Sequence, residues 1–76
     1  MLLLYTEDNS TACKQVRDAF DYHLVVYEER NIGEPSVKEE LQARGLTEVP
    51  VLVDTTANTV IKDPEEMIAY GTEYSF

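Results

Sequence analysis

Two residues that could take part in thiol chemistry lie three positions apart near the start of the chain. Cys13 is the only cysteine, and Ser10 precedes it by about one helical turn. A cysteine near a helix N-terminus can ionise to a nucleophilic thiolate, because backbone N–H groups and the helix dipole stabilise its charge. A free cysteine is more often a small buried hydrophobe, and we favour that interpretation for Cys13. For Ser10 we favour a helix N-cap.

Other kinds of reactive site lack the residues that they need. His23 is the single histidine, and no group of histidine, cysteine and carboxylate residues has the spacing of metal ligands, so we predict no metal site. No glycine-rich phosphate-binding loop is present among the three glycines.

Length and charge limit the classes of protein to consider. Seventy-six residues make one domain, 1–76, and the lone cysteine excludes an internal disulfide framework. Fifteen acidic against six basic residues give a net charge of −9, which disfavours nucleic acid and anionic membranes as partners. No apolar run approaches the roughly 20 residues of a membrane span. We expect a cytoplasmic monomer whose acidity reflects a solvated surface, adaptation to salt, or imitation of DNA.

Hydrophobic spacing and capping residues predict seven elements in an α/β domain. Apolar residues recur at helical spacing from Ala12 to Phe20, and the apolar run 23–27 has strand length. Ser36 and Asp63 are candidate helix caps. The predicted order is strand 1–5, helix 12–20, strand 23–27, helix 37–44 ending at Gly45, strand 49–53, strand 59–61 and helix 64–70 ending at Gly71, with 72–76 unassigned.

This order, β-α-β-α-β-β-α, contains five short stretches at set places: Leu4-Tyr5-Thr6, Ser10-Thr11-Ala12-Cys13, Leu41-Gln42-Ala43-Arg44-Gly45, Glu48-Val49-Pro50-Val51 and Asp63-Pro64-Glu65-Glu66-Met67-Ile68. Together they resemble the thioredoxin superfamily, and in particular the glutaredoxins and the glutaredoxin-like redoxins that reduce ribonucleotide reductase. The family places Cys-x-x-Cys at the start of its first helix and a cis-proline before its third strand. The resemblance implies a thioredoxin fold, with a four-stranded mixed sheet and helices on both faces.

The resemblance implies an active site in which one of two sulfurs is missing. Ser10 holds the position of the family's attacking cysteine, and Cys13 matches the second, more shielded cysteine. A serine hydroxyl is not ionised near neutral pH and cannot form a mixed disulfide, so dithiol exchange is predicted to be lost. A cis Val49–Pro50 bond is also implied, with an open backbone edge for an extended peptide. The implied catalytic positions are Ser10 and Cys13, and the implied binding positions are Tyr5, Thr11, Val49, Pro50 and Asp63.

Two departures from the family concern glutathione. Glutathione-using members carry a lysine before the active-site loop, where this chain has Glu7. They also carry Gly-Gly and an acidic residue before the last helix, where this chain has Val60-Ile61-Lys62-Asp63. We therefore predict no bound cofactor and expect glutathione not to bind in the usual manner.

Three functions remain open at this stage. The first is a glutaredoxin-like redoxin related to thiol-disulfide oxidoreductases, acting on a protein disulfide but with little or no dithiol activity because of Ser10. The alternative is a catalytically inactive, acidic protein-binding module, such as an inhibitor or DNA mimic that acts on a protein partner. A third is a relative that holds a thiol through Ser10 without catalysis.

Overall fold

The computed structural model describes residues 1–74, and the elements within them follow the predicted order β-α-β-α-β-β-α. The sequence left 72–76 unassigned. Residues 72–74 belong to the last helix, and residues 75–76 lie outside the described residues. The elements are β1 (Leu2–Thr6), α1 (Thr11–Tyr22), β2 (Glu28–Asn31), α2 (Pro35–Ala43), β3 (Val51–Asp54), β4 (Thr59–Ile61) and α3 (Pro64–Tyr74).

The strands form the predicted mixed sheet, in the order β2-β1-β3-β4. β1 runs parallel to β2 and antiparallel to β3, and β3 pairs antiparallel with β4. The short turn between β3 and β4 makes them a hairpin, whereas the parallel β1–β2 pair needs the crossover that α1 supplies. β1 is thus a central strand with partners on both edges.

Helices cover both faces of this sheet and enclose two hydrophobic cores. Successive side chains of β1 point to opposite faces, so Leu4 packs in the first core and Tyr5 in the second. The first core involves α1 and α3 and contains Leu2, Leu4, Val16, Phe20, Val25, Leu52 and Met67. The second involves α2 and contains Leu3, Tyr5, Val37, Leu41, Leu46, Val51 and Val53.

The position of the second strand was predicted wrongly. β2 comprises Glu28–Asn31, and residues 23–27 form the connection from α1, in which Leu24 and Val26 are 84% and 80% exposed. Val25 alone of that run is buried, and its N–H bonds to the carbonyl of Phe20. β2 can be polar because it is an edge strand, whose charged side chains also discourage pairing with other chains. Local apolarity therefore did not identify it.

The start of α2 also differs from the prediction. The helix begins at Pro35, and the residue before it, Glu34, has extended backbone and makes no side-chain cap. The predicted cap at Ser36 was wrong because Pro35 takes the first helical position, where its fixed φ suits the helix and its missing N–H is not needed.

The last helix starts as predicted but ends later. The carboxylate of Asp63 accepts a hydrogen bond from the N–H of Glu66 at 3.0 Å, as expected of an N-cap. The helix continues through Gly71 to Tyr74, so the predicted end at Gly71 was wrong. None of the helices within residues 1–74 has the length and apolar character needed to cross a membrane.

Gly71 marks the close contact between α3 and α1. A Cβ atom on Gly71 would lie 2.4 Å from Cε1 and 2.7 Å from Cζ of Phe20. Phe20 is fully buried, so its ring cannot move into solvent to make room. The absence of a side chain at position 71 therefore sets how closely α3 can pack on the helix that carries Ser10 and Cys13.

We expect Gly71→Ala to lower the free energy of unfolding by about 1–2 kcal/mol. Overpacking of a core typically costs about 1–3 kcal/mol, more than the gain of up to about 1 kcal/mol in helix propensity. Urea denaturation measures the change, and Gly71→Ala should cost less in a Phe20→Leu background than in the unaltered chain. A more stable single variant would contradict this packing argument.

The buried hydroxyl of Tyr5 in the second core bonds to charged side chains in α2 and at its C-terminal end. The hydroxyl of Tyr5 donates to Oε1 of Glu40 at 2.5 Å and accepts from Nε of Arg44 at 3.2 Å. Oε2 of Glu40 accepts from Arg30 at 2.7 Å. The hydrogen bond from Tyr5, helped by the charge of Arg30, lowers the pKa of the Glu40 carboxyl. Burial, and then the bond to Glu40, raises the pKa of Tyr5.

This network predicts a pH-dependent contribution to stability. Because the pKa of Glu40 is lower in the folded chain, its ionised form stabilises the fold above the unfolded pKa, and the effect is lost as pH falls through the folded pKa. Glu40→Gln should therefore lower the free energy of unfolding by about 1–2 kcal/mol at neutral pH, and this loss should shrink between neutral pH and pH values below the folded pKa of Glu40. Chemical denaturation across this range tests it, with exposed Glu39→Gln as control. A loss that does not vary with pH would contradict it.

Candidate functional site

The site begins in the loop 7–10, which follows the buried end of β1. Nδ2 of Asn31 in β2 donates to Oδ1 of Asp8 at 3.0 Å, which ties the loop to the sheet. The hydroxyl of Thr6 donates to Glu29 at 2.8 Å, and Arg17 of α1 donates to the same carboxylate oxygen at 3.1 Å. These bonds connect β1, β2 and α1 and hold the loop that leads into the helix.

Ser10 is the N-cap of α1. Its backbone is extended (φ −99°, ψ 118°), and its Oγ accepts a hydrogen bond from the N–H of Cys13 at 3.3 Å. Its carbonyl accepts the N–H of Lys14 at 3.1 Å. The hydroxyl thus satisfies one of the backbone donors left free at a helix start, which is the role that the sequence favoured for it.

The two candidate reactive side chains differ in exposure. Cys13 is 1% exposed, whereas Ser10 is half-buried and Thr11 exposed. The Cys13 thiol is a free thiol, packed one turn inside the helix. In this conformation a substrate can reach position 10 but not the sulfur of Cys13. The more accessible of the two candidate positions therefore carries a hydroxyl.

A groove of about 500 Å³ lies beside the first turn of α1. The Val49–Pro50 peptide bond is cis, with Pro50 buried and Val49 half-buried. The groove is open to solvent. It is formed by the segment 45–51, by Lys62 and Pro64 around the start of α3, and by Ala12 of α1. Its lining residues are Ala12, Gly45, Leu46, Thr47, Glu48, Val49, Pro50, Val51, Lys62 and Pro64.

A second, more polar cleft of about 340 Å³ lies on the other side of this turn. Ser10 and Thr11 line the cleft, whereas Ala12 lines the groove, so the first turn of α1 stands between the two. Glu7 and Asp8 give the cleft its carboxylates, and Lys14 and Arg17 give it basic groups. The structure thus brings Ser10, Thr11, Val49 and Pro50 around one helix start.

Tyr5 and Asp63, the other predicted binding residues, have different surroundings. The Tyr5 side chain points into the core under α2, on the opposite face of the sheet from α1, and its hydroxyl bonds to Glu40 and Arg44. Asp63 lies between the groove residues Lys62 and Pro64, and its carboxylate caps α3. The groove also includes Leu46 and Thr47, which the sequence did not indicate, because a loop ahead of a strand has no pattern of its own. It includes Glu48 as well, which the sequence analysis named in the stretch that carries the resemblance but not as a binding residue.

No cluster of metal-binding side chains is found in the part of the chain that the structure describes. Within residues 1–74 no three His, Cys, Asp or Glu side chains come together in a way that could hold a metal ion.

The family model for glutaredoxin matches residues 2–56, from β1 to the turn after β3. The chain belongs to the glutaredoxin family. This confirms the resemblance inferred from the sequence, and the match includes both Ser10 and the Val49–Pro50 bond. No curated protein sequence matches this glutaredoxin-family chain.

Solved structures show the same fold at low sequence identity. A point mutant of the thioredoxin-like protein BC3987 has a TM-score of 0.79 at 16% identity, covering 93% of this chain and 97% of that chain. The glutaredoxin-like NrdH-redoxin from Escherichia coli has a TM-score of 0.72 at 20% identity, covering 87% and 88%. A diazinon-metabolizing glutathione S-transferase of the silkworm Bombyx mori has a TM-score of 0.72 at 22% identity, covering 99% of this chain but 38% of the transferase. The fold is thus thioredoxin-like, as predicted.

The capping role of Ser10 can be measured directly. Ser10→Ala should lower the free energy of unfolding by about 1 kcal/mol, because it leaves the Cys13 N–H without its side-chain acceptor. Thr11→Ala, at an exposed position that makes no such cap, is the matched control and should change stability less. Urea denaturation of both variants measures the difference, and equal effects would contradict the cap.

Proposed function

We propose that this glutaredoxin-like redoxin binds a thiol- or disulfide-bearing protein in the groove beside Ser10 and does not itself carry out dithiol exchange. One observation carries the proposal. At the helix start, where the exchange reaction needs a thiolate, the chain presents the capping hydroxyl of Ser10, and the only cysteine thiol of the chain is buried at Cys13. The fold around the position is retained, whereas the first nucleophile is replaced.

The chemistry explains why this replacement is decisive. In dithiol exchange, a thiolate attacks one sulfur of the substrate disulfide, forms a mixed disulfide and releases the other sulfur as a thiolate. A second protein thiolate then attacks the protein sulfur of the mixed disulfide and releases the remaining substrate thiolate. The protein ends oxidised, with an internal disulfide, and the substrate ends reduced. A serine hydroxyl cannot take the first step, and Cys13 alone has no partner within the chain.

The groove supports a binding role. The segment 45–51, the start of α3 and Ala12 together line an open groove of about 500 Å³, and we propose that it receives an extended peptide. Open to solvent on one side, it leaves the hydroxyl of Ser10 at the adjoining helix start. Ser10 itself lines the neighbouring cleft, so a thiol that extends from the groove past the first turn of α1 would meet a hydrogen-bonding group rather than a nucleophile.

We further propose that glutathione is not the resident ligand. Glu7 and Asp8 line the cleft next to Ser10, and their charges would repel the carboxylates of glutathione. Residues 60–63 contain no glycine that would let a ligand approach the backbone closely. A protein substrate or partner suits this site better.

Restoring the missing sulfur tests the proposal. We expect the unaltered chain to show no catalysed reduction of an aromatic disulfide, and Ser10→Cys to reduce it. The new thiol would lie at the N-terminus of α1, where the helix dipole lowers its pKa, and Cys13 follows as the resolving thiol. Thiol titration should find two thiols in the reduced variant and none after oxidation.

A matched control separates the two sulfurs. Ser10→Cys/Cys13→Ser keeps the attacking thiol and should form a mixed disulfide with the substrate without releasing it. Thermal unfolding of each variant establishes that it is folded. If Ser10→Cys folds but neither forms the bridge nor reduces the disulfide, the proposed redoxin site is refuted.

That negative result would favour a second candidate, a catalytically inactive acidic module that binds a protein partner. The net charge of −9 and the buried Cys13 support this alternative, since neither contributes to disulfide exchange. Such a module would bind a basic partner with strong salt dependence and would be indifferent to the residue at position 10.

A further inference from the structure

The groove carries one positive and one negative side chain on different segments. Glu48 comes from the segment that leads into β3, and Lys62 comes from the residues just before α3. No ion pair joins them or involves either of them among the described residues. Lys62 is the only basic residue among those that line the groove.

Lys62 is available to a ligand, whereas the three arginines of this chain bond to other side chains of the fold. Arg44 donates to the hydroxyl of Tyr5. Arg17 is paired with Glu29, and Arg30 with Glu28 and Glu40, so their charges are used within the fold. Lys62 is exposed and, within residues 1–74, has no carboxylate at ion-pair distance. An ammonium group of this kind can donate charge-assisted hydrogen bonds to a carboxylate that enters the groove.

We propose that Lys62 is a specificity-determining residue that selects ligands with a carboxylate close to the thiol or disulfide sulfur. The inference rests on the proposed function, because it assumes that the groove beside Ser10 is the binding surface. The net charge of −9 repels anions over most of the surface. Lys62 supplies a short-range attraction at one place, so an acidic ligand is stabilised only when its carboxylate reaches this end of the groove.

Binding to the unaltered chain is the primary test, because it needs no reaction at position 10. The probes are three extended peptides that differ only in the residue beside a single reduced cysteine, which is Glu, Gln or Lys. Backbone amide shifts in NMR titrations report the dissociation constant and the residues affected. We expect the Glu peptide to bind about threefold more tightly than the Gln peptide, the size expected of a solvent-exposed charge pair. The preference should disappear near 0.5 M salt.

Charge variants show whether Lys62 is the cause. Lys62→Gln should remove the preference for the Glu peptide and leave binding of the Gln peptide unchanged. Lys38→Gln makes the same change in net charge at an exposed position on α2, away from the groove, and should keep the preference. Glu48→Gln should strengthen binding of the Glu peptide, since it removes the opposing charge from the groove.

Each outcome decides the inference. Equal effects of Lys62→Gln and Lys38→Gln, no preference for the Glu peptide, or shifts outside the groove would overturn it. Reduced glutathione serves as a small-molecule probe. Lys62-dependent binding of glutathione in the groove would support carboxylate selection with a small thiol, rather than a protein, as the ligand. Failure of Ser10→Cys to reduce disulfides would count against the proposed redoxin chemistry, and the peptide titrations would still decide the role of Lys62.

Discussion

β1 is the strand on which the rest of the structure depends, because it is paired along both edges and covered on both faces. All five of its residues are buried. Its apolar side chains can therefore alternate between the two cores, but any polar group must find a partner inside the fold. The hydroxyl of Tyr5 reaches Glu40, and that of Thr6 reaches Glu29. The point where β1 ends then determines where the loop 7–10 leaves the sheet and where α1 begins.

The helix that carries the site is held at both ends by different interactions. At its start, Ser10 caps the backbone, and near its end Phe20 packs against Gly71 of α3. Serine is a better N-cap than cysteine, whereas only cysteine can act as the nucleophile of disulfide exchange. The residue at position 10 thus affects stability and chemistry in opposite directions. In the proposed function position 10 is the place of the attacking thiolate, and there the chain has the capping side chain instead of the reactive one.

Charge is distributed so that the arginines at the β2 edge are paired while acidic groups dominate elsewhere. Arg30 contacts both Glu28 and Glu40, and Arg17 contacts Glu29. These pairs surround an edge strand that would otherwise expose its backbone to other chains. Exposed ion pairs contribute little stability individually. Their main effect here is to place charged side chains along the β2 edge. The groove, with its single lysine, is electrostatically different from that edge.

The sequence by itself determined the features that depend on neighbouring residues. The apolar start of β1, the cap at Ser10, the stripe along α1 and the Asp63-Pro64 helix start all have local signals, because capping and helical periodicity act over a few residues. Tertiary structure decided what depends on distant partners. It moved the second strand to the polar segment Glu28–Asn31, since an edge position permits charges. It continued α3 past Gly71, which lies inside the helix because a side chain at that position would collide with the ring of Phe20. It also brought Lys62 to the groove beside α1, because only packing determines which distant loops meet.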